Sequence, residues 1–109
     1  MTDRSRKIIE SARTRVEELV RKECPLQIIL FGSAARGSAT RHSDVDLLVV
    51  MNTPDNIHDR PKRIWACFSD WEEDLDVIVY TPEEWAVKRS RPNAFIKKIL
   101  SEGIVLHGT

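Results

Sequence analysis

The segment from Phe31 to Val50, FGSAARGSATRHSDVDLLVV, concentrates the residues of this chain that could do chemistry. Asp44 and Asp46 stand two apart at the start of an apolar run, and side chains at i and i+2 of a strand share a face. Two carboxylates on one face repel each other, and strands disfavour Asp. A local rule broken this way points to function. Hard cations such as Mg²⁺ take oxygen ligands, commonly one or two carboxylates together with substrate phosphates. An isolated Asp-x-Asp is equally compatible with capping or loop roles. Gly32-Ser33 adds a second element: glycine lets a phosphate approach the backbone, and Ser33 offers a hydroxyl at the head of a short helix. Taken alone, the pair also suits an ordinary turn in which Ser33 is the N-cap. Arg36 and Arg41 could steer a triphosphate, although exposed arginines are usually only solvated. Asp76, in DLDVIVY, again places a carboxylate at the start of an apolar strand. If that strand neighbours the first, the two lie about 4.8 Å apart, and Asp76 can join Asp44 and Asp46 around a metal pair. Asp74 has the same parity and is the rival, but it belongs to the acidic run Asp70 to Asp74, which reads as a solvated loop.

The elements that must position these residues follow from periodicity and punctuation. Ile8, Ala12, Val16 and Leu19 predict a helix from about Ser5 to Glu23, stopped by Cys24-Pro25. Strands are expected over Leu26–Phe31, Val45–Met51 and Leu75–Tyr80, with a short helix over Ala34–Arg36. Ile57, Ile64, Trp65, Phe68 and Trp71 predict a helix from about Asn56 to Trp71, with Pro61 in its first turn. Thr81-Pro82-Glu83-Glu84 is a capping box with proline at the first helical position. A last helix over about Asn93–Glu102 stops at Gly103, and Ile104–Leu106 can form a short strand. The expected fold is α/β (α+β): a single domain, residues 1–109, with a mixed sheet of three or more strands and helices packed mainly on one face.

GSAARG, then SDVDLLVV, then LDVIVYTPEEW resembles the minimal nucleotidyltransferase (MNT) group of the polymerase-β-like superfamily, of the type that acts as an antitoxin. The resemblance spans about Leu26 to Glu84. It implies that Gly32 and Ser33 hold nucleotide phosphates. It implies that Asp44 and Asp46 bind two Mg²⁺ ions, and that Asp76 binds the catalytic ion and helps deprotonate an acceptor hydroxyl. It further implies transfer of NMP, by preference AMP from ATP, to a hydroxyl on a helical HEPN-type partner. A non-catalytic module that neutralises such a partner is the main alternative; transfer to a small molecule such as an aminoglycoside is another.

Charge and composition are compatible with this. Residues 1–42 carry nine Lys/Arg against five Asp/Glu, residues 43–80 three against nine, and residues 81–109 five against three. An acidic middle between basic flanks suits a site that gathers cations beside phosphate-binding groups, and is not the footprint of a general DNA-binding domain. No apolar run approaches the ~20 residues of a membrane span, no signal peptide is expected, and a cytoplasmic location is the expectation. Cys24 and Cys67 form no disulfide framework. His42, His58 and His107 lack zinc-ligand spacing. Trp85, Val87, Ala94 and Phe95 form an apolar stretch that suits partner docking or sheet covering, and a homo-oligomer is left open.

Overall fold

Helix α1 spans Asp3–Glu23 in the computed structural model, which describes residues 1–108. Its amphipathic stripe buries Ile8, Ala12, Val16 and Leu19. The Thr2 hydroxyl accepts the Ser5 N–H at 3.0 Å and closes the first turn. Cys24 ends the helix with φ 49°, its N–H bonded to the Val20 carbonyl; Pro25 cannot continue it.

The remaining elements are β1 (Gln27–Phe31), α2 (Ser33–Arg36), β2 (Val45–Val50), α3 (Pro61–Cys67), β3 (Leu75–Tyr80), α4 (Pro82–Ser90), α5 (Ala94–Glu102) and β4 (Ile104–His107). The strands form one mixed sheet in the order β3-β2-β1-β4. β1 pairs antiparallel with both β2 and β4, whereas β2 and β3, joined through α3, run parallel. Alternate side chains of the central strands feed two cores. Leu30, Leu47, Val49 and Val79 pack with α1, α2 and α3, the larger helical layer. Ile29, Leu48 and Val50 face the other way, against Trp85 of α4 and Ile96 and Ile99 of α5. β2 is therefore buried on both faces from Leu47 to Val50, as its β-branched sequence requires.

The loop ahead of β3 is tied down by charge. Arg4 pairs with Glu73 and Arg15 with Asp70, both across to α1. Trp71 donates its indole N–H to Ser11 on the same helix. These ties hold the start of β3, and so Asp76, against the body of the domain.

Two local expectations change. The helix expected over residues 56–71 is limited to Pro61–Cys67. The Asn56 side chain accepts the backbone N–H groups of His58 and Asp59, a local turn that competes with helix. Ile57 (47% exposed) falls outside the shortened helix, and Trp65 (46% exposed), inside it, lies off the buried stripe that Ile64 and Phe68 keep. Ser33 is the first helical residue of α2, not its cap; Gly32 takes the N-cap position with φ 78°. The capping box at α4 forms as expected, with Thr81 and Glu84 bonding reciprocally. Glu84 also takes a 2.6 Å hydrogen bond from buried Arg60, which donates to the carbonyls of Asp55 and Val79 as well.

Candidate active site

Strand register gathers the carboxylates. Asp46 lies directly beside Asp76 across the parallel β2–β3 pair and beside Phe31 across β1–β2. Gly32 follows Phe31 and turns the chain into α2 with φ 78°. A Cβ on Gly32 would stand 2.2 Å from Asp46 Oδ2, so no side chain fits. Glycine is needed twice here, for its backbone conformation and for the close approach of the β1–α2 turn to the carboxylate. Asp44 stands just ahead of β2 and is exposed, as is Asp76, whereas Asp46 is half-buried.

Electrostatics bind the three acids into one site. Burial, then the charges of Asp76 and Asp44, push the Asp46 carboxyl up to about 6, and Arg36 opposes the rise. Asp74, the rival third acid, lies outside β3 and offers its backbone carbonyl to the Val45 N–H at 2.8 Å. It is Asp76 that lies in register with Asp46 and whose charge acts on it.

A cavity of about 280 Å³ opens beside Asp46 and Gly32. Phe31 and Arg36 line it from β1 and α2, and Phe95, Lys98, Ile99 and Glu102 line it from α5. Arg36 thus reaches the site, held by a 3.4 Å ion pair to Glu102. Arg41 does not line this cavity. It is exposed in the loop ahead of β2, with its Nε–H on His42 Nε2 at 3.3 Å.

Sequence reasoning missed the α5 wall. Phe95, Lys98, Ile99 and Glu102 stand at i, i+3, i+4 and i+7, one face of a helix. That spacing was visible, but which face looks onto the site depends on β4 returning antiparallel to β1. Trp85 is buried in the second core and is no docking surface. Phe95 belongs to the cavity, in an edge-to-face contact with Phe31 at 5.6 Å between centroids.

Among the described residues no three His, Cys, Asp or Glu side chains form a preassembled metal cage. The donor set nevertheless fits a hard divalent cation. Three carboxylate-bearing residues meet at one end of the sheet, and the repulsion felt by Asp46 is of the kind a cation relieves. Mg²⁺ completes its shell with water and substrate phosphate, not with an all-protein cage. Among the described residues no helix is long and apolar enough to cross a membrane.

Several solved structures share the fold. One is a toxin–antitoxin crystal structure with AMP-PNP, at 24% identity and TM-score 0.64, covering 89% of this chain and 73% of that one. Another is a mutant MntA–HpeT toxin–antitoxin at 26% identity and TM-score 0.61, covering 88% and 72%. A third contains a tri-AMPylated HEPN toxin from Shewanella oneidensis in complex with an MNT antitoxin, at 20% identity and TM-score 0.58, covering 92% and 72%. No curated protein sequence matches. The nucleotidyltransferase domain profile matches residues 9–106, which takes in the Gly32 turn, all three aspartates and the α5 wall. With the profile over nearly the whole length and the fold in agreement, the chain belongs to the nucleotidyltransferase domain family.

Proposed function

We infer that this domain transfers AMP from Mg²⁺-bound ATP to a hydroxyl on a helical HEPN-type partner, acting as the antitoxin of a toxin–antitoxin pair. The observation that carries the reading is the register of Asp46 with Asp76 beside a glycine turn that has no room for a side chain. Structures sharing the fold support the finer assignment: one contains AMP-PNP, and another an AMPylated HEPN toxin with its MNT antitoxin.

In this mechanism Asp44, Asp46 and Asp76 would hold the metal ions. The Gly32–Ser33 backbone and the Ser33 hydroxyl receive phosphate oxygens. When bound, two Mg²⁺ ions supply Lewis-acid neutralisation of the triphosphate and of the attacking and leaving oxygens. Asp76 is exposed beside Asp46, where an acceptor hydroxyl can reach it and give up its proton. The acceptor oxygen attacks the α-phosphorus, the bond from that phosphorus to the bridging oxygen breaks, and pyrophosphate leaves. The chain contributes positioning and electrostatics, the main requirements of phosphoryl-type transfer. Arg36 reaches the cavity and adds positive charge, while Arg41 steers from the loop. The site operates in the cytoplasm.

Titration calorimetry with ATP tests the nucleotide part. The wild type should bind in Mg²⁺ and lose binding in EDTA, and the Asp44→Asn/Asp46→Asn double variant should not bind. Binding that survives chelation would contradict the two-metal site.

A further inference from the structure

Nothing in the functional motif assigns a role to α5, yet α5 forms one wall of the cavity that contains Gly32 and Asp46. Ile96 and Ile99 anchor the helix in the second core. The cavity face then presents Phe95, Lys98 and Glu102 within eight residues, about 10 Å along the axis. Lys98 is exposed and makes no ion pair among the described residues. Glu102, one turn further, is paired with Arg36 at 3.4 Å. One cation without a partner and one cation held by a carboxylate therefore border the same cavity, whose fourth charged residue is Asp46.

An anionic ligand in this cavity meets two cations and must compete with Glu102 for one of them. Each phosphate oxygen that receives a lysine ammonium or an arginine N–H gains a charge-assisted hydrogen bond. A guanidinium offers five N–H donors, so Arg36 can turn from a carboxylate to a phosphate without leaving the cavity. We propose that Lys98 is a triphosphate-binding residue contributed by α5, and that Glu102 is the counter-ion that holds Arg36 in place until the triphosphate takes over. The proposal rests on the nucleotide reading of the site. It adds that the C-terminal helix, outside the glycine–aspartate motif, sets affinity for the triphosphate.

The test uses the full chain and a fluorescent ATP analogue, with and without Mg²⁺. Lys98→Ala should weaken ATP binding at least tenfold, and Lys98→Arg should restore most of it, since charge and reach are kept. AMP, which lacks the β- and γ-phosphates, should bind the wild type and Lys98→Ala within about threefold of each other. In the transfer reaction KM for ATP should rise while kcat changes little, which lost packing would not produce. Glu102→Gln should tighten ATP binding by releasing Arg36. Wild-type binding that Lys98→Ala leaves unchanged would overturn the proposal alone. Absence of chelator-sensitive binding by the wild type would overturn the nucleotide reading and this proposal with it.

Discussion

Asp46→Asn should stabilise the metal-free protein at neutral pH, although it removes a residue essential to the proposed site. The Asp46 carboxyl is pushed up to about 6 by burial and by the charges of Asp76 and Asp44, against an ordinary value of about 3.9. An acid with a raised folded-state value binds more protons when folded than when unfolded. Its ionisation therefore lowers stability as pH climbs from about 4 to about 6, and the whole penalty is present above that window. About two pH units at 1.36 kcal/mol each give about 3 kcal/mol. Asp46 keeps part of its surface in water, and screening roughly halves this, to about 1.5 kcal/mol. Asn is nearly isosteric and carries no charge, so at pH 7.5 without metal the variant should melt roughly 5–10 °C above the wild type. The difference should shrink towards pH 4, where the wild-type carboxyl is protonated too, and shrink again at pH 7.5 when Mg²⁺ and ATP are added. Thermal unfolding by circular dichroism at pH 4, 6 and 7.5 reads all three. A variant that melts below the wild type at pH 7.5, or a gap indifferent to pH, would show that Asp46 is a structural residue and not a member of a repulsive cluster.

Asp76→Asn should abolish nucleotidyl transfer while leaving most ATP binding, and Asp74→Asn should leave both nearly intact; the reverse pattern in a radiolabelled transfer assay would move the third acid to Asp74. Gly32→Ala forces a methyl to 2.2 Å from Asp46 Oδ2 at φ 78°, so it should cost roughly 1–3 kcal/mol by urea denaturation and eliminate activity even where the fold survives. Arg60→Ala strands the carbonyls of Asp55 and Val79 and frees the Glu84 carboxylate. It should lower stability by about 2–3 kcal/mol, and a urea midpoint equal to that of the wild type would show that the buried guanidinium does not brace α4.

What could be read from the sequence was whatever depends on short-range rules. The Asp-x-Asp pair announced itself because two like charges at the start of an apolar strand contradict strand preference. Thr81-Pro82-Glu83-Glu84 fixed the start of α4 through a cap that needs only four residues. The helix over residues 56–71 was overextended because its apolar stripe outweighed Asn56, whose side-chain bonds to His58 and Asp59 form a turn instead. Ser33 looked like a cap, but the glycine before it has the freer backbone and takes that position. Arg36 and Arg41 looked alike as loop cations. Only tertiary structure separates them, bringing Arg36 to the cavity and leaving Arg41 on His42. The α5 wall was hidden for the same reason. Its periodicity was plain, but its orientation is set by the antiparallel return of β4 to β1, some seventy residues away in sequence.

The central claim is group transfer, and the intact mass of the acceptor measures it directly. A purified HEPN-type partner incubated with this chain, ATP and Mg²⁺ should gain about 329 Da for each AMP added, a covalent change on a side-chain hydroxyl. The Asp44→Asn/Asp46→Asn variant should still form the complex yet leave the mass unchanged. A partner that is fully neutralised by wild type and variant alike, with no gain in mass in either case, would contradict the account and identify the chain as a binding module.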